Sequence, residues 1–154
     1  MASVREFEDG DQQAFRDLNL AWIEPLFGIE AEDLNQLGDV RTQILDHGGR
    51  AFVAEHEGEV CGTVALIPKS EALVELAKMC VRSDLQGLGI GRLLMDRAVV
   101  EARSMGAQRI WIESNSSLDA ALALYRKSGF VELPQSDYVA TPFCRCDIQL
   151  VKEL

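Results

Sequence analysis

One stretch limits what this chain can fold into more than any other: Leu76 to Arg92, LAKMCVRSDLQGLGIGR. Leu76 to Val81 is a short run rich in apolar residues, and it predicts a buried strand. Gln86-Gly87-Leu88-Gly89-Ile90-Gly91 follows as a glycine-spaced turn that opens onto a helical pattern. Strand, glycine loop and helix in that order gather backbone N–H groups at a helix start, where they and the helix dipole favour a phosphate. Glycine lets a ligand come close because no Cβ stands in the way. The spacing is not that of a Walker A loop, since no Gly-Lys-Ser/Thr follows. It also departs from the dinucleotide fingerprint, because Leu94 stands where the third glycine belongs.

The whole chain has the length of one domain, 154 residues, and reads as a single unit 1–154. A domain of that size buries about 70% of the surface its extended chain exposes, enough for a real core. The formal net charge of −10 opposes binding to a phosphate backbone, so nucleic acid is not an expected partner. No apolar run approaches the length of a membrane span, and the first residues carry no signal-peptide pattern, which predicts a cytoplasmic protein. The four cysteines, Cys61, Cys80, Cys144 and Cys146, lack zinc-type spacing. They predict reduced, mostly buried thiols and no metal site.

In chain order, Val4 to Phe7 reads as a first strand. Ala14, Phe15, Leu18 and Trp22 then recur at helical spacing, and Pro25 is expected to end that helix. A second helical region carries Leu34, Leu37, Ile44 and Leu45, with a break at Gly38-Asp39. Ala51–His56 and Val60–Ile67 form a hairpin around Glu57-Gly58. Leu73–Val81 is the central strand. A helix runs from about Gly89 to Met105, and Arg109–Glu113 is a further strand. A short helix carries Leu118, Ala121, Leu122 and Tyr125. Phe130–Leu133 is a strand, and Cys144, Cys146, Ile148 and Leu150 alternate along a half-buried last one. This order predicts an α/β fold, a mixed sheet with helices on both faces.

Two motifs carry a resemblance to a known family. Gln86-x-x-Gly89-x-Gly91 after a strand resembles the (Arg/Gln)-x-x-Gly-x-(Gly/Ala) acetyl-CoA signature of the GNAT N-acetyltransferase superfamily. Leu124-Tyr125-Arg126-Lys127-Ser128-Gly129-Phe130 resembles that family's second landmark, a helix ending Leu-Tyr-x-x-x-Gly-Phe. The resemblance implies a GNAT-like, mostly antiparallel central sheet. It implies acetyl-CoA as cosubstrate, transfer of the acetyl group to a small amine or a protein amine, and direct attack without an acyl-enzyme. It does not identify the amine, although Trp22, Glu24, Phe27 and Tyr138 come from segments that line the family's acceptor pocket. It leaves open whether the chain works alone or as a homodimer.

The resemblance also implies roles for particular residues. The diphosphate would lie on the loop Gln86, Gly87, Leu88, Gly89, Ile90 and Gly91, with Arg92 at the helix start. The pantetheine arm would pair with the backbone of Met79 and Val81, in a gap where the central strand leaves its neighbour. Asn115 would reach the arm, although the family's usual asparagine position holds Leu118. Tyr125 would be the acid that protonates the departing thiolate. For the base, alternation along a regular strand puts Glu75 on one face with Ala77, Met79 and Val81. It lies about 20 Å of extended chain before Val81, in the direction of the thioester. Glu113 is the second candidate. A non-catalytic acyl-CoA-binding module and an unrelated nucleotide-binding domain are the competing expectations.

Overall fold

In the computed structural model, which describes residues 1–154, every strand joins one seven-stranded sheet. The strands are β1 (Ala2–Glu6), β2 (Arg50–His56), β3 (Glu59–Pro68), β4 (Leu73–Val81), β5 (Arg109–Ser114), β6 (Val131–Glu132) and β7 (Ile148–Glu153). Their order across the sheet is β1-β2-β3-β4-β5-β7-β6. Only the β4–β5 pair is parallel. The helices are α1 (Gln12–Phe27), α2 (Ala31–Gly38), α3 (Val40–Gln43), α4 (Ile90–Ser104) and α5 (Asp119–Lys127).

The β2–β3 hairpin turns where the sequence predicts. Glu57 and Gly58 both take positive φ, 54° and 80°, which matches the twist of the flanking strands. Apolar alternation along the strands then divides the core between the two faces of the sheet. Ile90, Leu94, Met95, Ala98 and Ala102 of α4, with Leu122 and Tyr125 of α5, cover one face. Phe15 and Ile23 of α1, Leu37 of α2 and Val40 of α3 cover the other. Fully burying a side chain such as Leu94 or Phe15 contributes roughly 1.5–3 kcal/mol, so both layers hold the sheet. Gly62 is a place where helix and sheet come too close for a side chain. A Cβ there would lie 3.0 Å from Leu94 Cδ1 and 3.1 Å from the Cys80 carbonyl oxygen.

Three expectations are corrected. Helix α1 continues through Pro25 to Phe27 and ends at Gly28, whose N–H donates to the carbonyls of Ile23 and Glu24. Proline so near the C-terminus removes one hydrogen bond without stopping the last turn. Strand β7 begins only at Ile148, so Cys144 and Cys146 lie in the loop before it, and their alternation is not a strand pattern. The thiols are all free, but Cys144 is exposed while Cys80 and Cys146 are half-buried.

The third correction concerns β4. Ala65 faces Ala77, but Thr63 faces Cys80, so β4 spends three residues where β3 spends two. This bulge absorbs Lys78, whose φ of 54° is rare for a residue with a Cβ. The extra residue reverses the alternation. Glu75, Ala77 and Cys80 share the face of Ile67, Ala65 and Thr63, whereas Met79 and Val81 pack with Leu76 on the α4 side. Glu75 therefore does not share a face with Met79 and Val81. A backbone strained by about 1–3 kcal/mol needs holding. Thr63 Oγ1 donates to the Lys78 carbonyl at 2.6 Å, and buried Asn19 donates from Nδ2 to Thr63 Oγ1 at 3.0 Å.

Candidate active site

Strands β4 and β5 pair for only three residues, Leu73 to Glu75 against Arg109 to Trp111. Beyond Leu76 and Ile112 they part, and the gap opens into a cavity of about 650 Å³. Glu75 and Tyr125 both line it, as do Met79, Val81, Gln86, Gly87, Gly89, Ile90, Gly91 and Asn115. Of the residues the sequence singled out as cofactor-binding, two stand apart from it. Leu88 points outward at 64% exposure. Arg92 is largely exposed, donates from Nε to Asp96 at 3.0 Å, and lies on a different hollow.

The glycine loop forms one end of the cavity. Gly87 and Gly89 take φ of 82° and 84°, the left-handed region open to glycine at little strain, and Gly89 caps α4. The amides from Gly87 to Arg92 find no acceptor in the chain's own backbone. Gln86 folds back, donating from Nε2 to the Val81 carbonyl at 3.1 Å. Beside the loop, a Cβ on Gly91 would come within 3.3 Å of Leu124 Cδ2. The result is an uncovered row of donors at the positive end of a helix. Asn115 is mostly engaged locally. Its Nδ2 donates to the Arg145 carbonyl at 2.7 Å, and its Oδ1 accepts from Ser117.

The opposite end is ionisable and largely buried. Glu75 is only 5% exposed. Burial raises its pKa; the Lys69 ammonium, 3.0 Å from Oε1, pulls it down, and Glu113 pushes it up again. Burial also raises Glu113, whose Oε2 is enclosed without a hydrogen-bond partner. Burial lifts Tyr125 to about 12, so at neutral pH it is a phenol and a donor. The same cause lifts the thiols of Cys80 and Cys146 to about 11 and about 12. Both are protonated at neutral pH, and a protonated thiol is a poor nucleophile.

Two further charged groups that the sequence did not single out, Lys78 and Arg145, line this end, and a third, Asp33, lies behind them. Asp33 is fully buried and receives two hydrogen bonds from Arg145, each 2.7 Å. Burial by itself would raise its pKa, but the Arg145 bonds, the Glu30 amide and the nearby Lys78 hold it below the usual carboxylate range. Lys78 meets Asp33 at 3.5 Å and sits over the Phe143 ring, 4.9 Å from its centroid. A lysine inside an apolar strand was a visible signal. The pairing of Asp33 with Arg145, 112 residues apart, left none.

The gap and the amide row lie where the resemblance placed the cofactor, and Glu75 and Glu113 both line the same cavity. Comparison with known proteins identifies the family. The family model described as "Acetyltransferase (GNAT) family" matches residues 12–130, more than half of the chain. The chain belongs to the GNAT acetyltransferase family. A curated relative, the uncharacterized N-acetyltransferase YjgM of Escherichia coli K12, is 32% identical over 122 residues, covering 75% of this chain and 71% of that protein. A GNAT-family acetyltransferase from Staphylococcus aureus Mu50 superposes with a TM-score of 0.90 at 19% identity, over 99% of both chains. A GNAT-family acetyltransferase from Elizabethkingia anophelis with acetyl-CoA bound superposes with a TM-score of 0.73 at 22% identity, over 99% of this chain and 98% of that one. At those identities the structural likenesses speak for the GNAT fold, while the family match and YjgM speak for membership.

Proposed function

We propose that the chain moves an acetyl group from acetyl-CoA to a primary amine by direct attack. The observation that carries this is the unpaired amide row from Gly87 to Arg92, running into a strand gap that ends at a buried carboxylate. Those amides are the donors for the diphosphate, with no requirement for Arg92 or for the outward Leu88 side chain. The pantetheine arm lies along β4 at Met79 and Val81. The acetyl-CoA held by the Elizabethkingia anophelis relative supports the choice of cosubstrate.

At the far end, Glu75 takes a proton from the amine as its nitrogen attacks the thioester carbonyl. The C–S bond then breaks, and Tyr125 donates a proton to the leaving sulfur. A base works best with a pKa near the working pH, and burial moves Glu75 in that direction. Tyr125 stays protonated until it is needed. Protonated Cys80 and Cys146 agree with a route that has no acyl-enzyme.

The test pairs calorimetry of acetyl-CoA with a free-thiol assay over a panel of amines. Binding together with amine-dependent thiol release is the expected result. Binding with no release on any amine would turn the protein into an acyl-CoA-binding module. Preference for NAD or ATP over CoA would remove the proposal altogether.

A further inference from the structure

The charges at the Glu75 end of the cavity do not pair off evenly. Lys69 is committed to Glu75 at 3.0 Å. Arg145 is committed to Asp33 through two short bonds and to Glu30 at 3.3 Å. A bidentate guanidinium takes the best positions on a carboxylate. Apart from the Phe143 ring, Lys78 is left with one ionic contact, to Asp33 at the 3.5 Å limit. Its ammonium has three donors, its side chain is 5% exposed, and it lines the cavity. On the other side, Glu113 also lines the cavity; the Thr141 side chain lies beside its carboxyl, yet Oε2 is enclosed without a hydrogen bond. Lys78 and Glu113 sense one another's charge, yet their only close ionic contact is Lys78 with Asp33. One cation and one anion thus face the same space, each short of hydrogen bonds.

Buried polar groups in native proteins have partners, and groups left short at a cavity wall mark where a ligand supplies them. A ligand that supplies both carries an anion for Lys78 and an N–H donor for Glu113. A phosphate would bring a second negative charge against one spare cation, beside Asp33 and Glu75, so a carboxylate fits better. The cavity must also hold the acyl end of the cosubstrate, which leaves room for a small molecule. We infer that the acceptor is a small amine bearing its own carboxylate, an amino acid, with the carboxylate held by Lys78 and the amine between Glu75 and Glu113. The inference rests on the acetyl-transfer reading and adds the acceptor class to it. The bulge then has a purpose: only the extra residue in β4 turns a strand lysine into the acceptor end of the gap.

The experiment measures thiol release from acetyl-CoA with the twenty amino acids, β-alanine and γ-aminobutyrate. Each is run beside its carboxamide and the amine lacking the carboxyl group. At least one acid should exceed its carboxamide in kcat/KM by roughly tenfold to a hundredfold, the worth of one charged hydrogen bond. Lys78→Met should shrink that ratio to about twofold, chiefly through KM, while Lys78→Arg keeps it near tenfold; thermal melts check that both variants fold. Carboxamides or plain amines used as well as the acids would overturn the inference and leave acetyl transfer standing. A ratio unchanged in Lys78→Met would overturn it too. Acetyl-CoA bound with no thiol released by any member of the panel would overturn both.

Discussion

Replacing Glu75 by Gln changes one atom type at a buried position of the cavity wall, and its two consequences have opposite signs. Glutamine keeps the size of the side chain but cannot take a proton from an amine at neutral pH. General base catalysis contributes about 10² to 10⁴ in rate, or roughly 3–5 kcal/mol of barrier. Glu113 lines the same cavity with a raised pKa and can stand in, so the single variant should lose about 10² in kcat. Glu75→Gln with Glu113→Gln should approach the upper figure.

Stability should move the other way. Burial raises the Glu75 pKa, so the folded protein holds that proton more tightly than the unfolded chain does. The penalty for ionising it is absent below the unfolded pKa and complete above the folded one. Glutamine removes the penalty, and Lys69 is 42% exposed and keeps its water. At neutral pH Glu75→Gln should therefore melt at or above the parent, and the difference should fade as pH drops through the ordinary carboxylate range. The assays are thiol release from pH 5 to 9 and thermal unfolding over the range the protein tolerates. In the parent, kcat/KM should climb with pH through the raised Glu75 pKa and then level off. Unchanged turnover at every pH, together with a lower melting temperature, would refute both the base assignment and the account of its burial.

Three shorter predictions concern other parts of the site. Tyr125→Phe should lower kcat by roughly tenfold to a hundredfold and leave acetyl-CoA affinity within about twofold, as measured by steady-state kinetics and calorimetry. Gly89→Ala forces a side chain into a left-handed conformation worth about 1–2 kcal/mol, so the amide row should shift and acetyl-CoA affinity fall roughly tenfold by calorimetry. Asp33→Asn leaves Arg145 and Lys78 without their buried anion and should cost about 3–5 kcal/mol in urea unfolding. The Asp33 pKa is depressed in the fold, so its contribution is present above the unfolded pKa and lost as pH falls towards the folded one.

Much of this fold is local in origin and therefore legible from the chain. Glu57-Gly58 writes its own hairpin, and the α4 stripe from Ile90 to Ala102 needs only helical spacing to be seen. The unpaired amides belong here too, because glycine spacing and a helix start are properties of neighbouring residues. Tyr125 and Glu75, singled out from a motif and a strand position, both line the cavity, although Glu75 lies on the other face from the one its alternation implied. The parity of β4 was not legible. Alternation assumes a regular ladder, and the extra residue at Lys78 exists because Thr63 and Asn19, from other elements, hold it in place. The way the charges at the Glu75 end of the cavity meet was hidden for the same reason. Asp33, Lys78, Glu113 and Arg145 are distant in sequence, and whether each charge is paired or spare depends on distances that only packing decides. Local pattern determined the elements and the phosphate-ready loop; the meeting of remote charges in low dielectric, which no spacing encodes, waited for the tertiary structure.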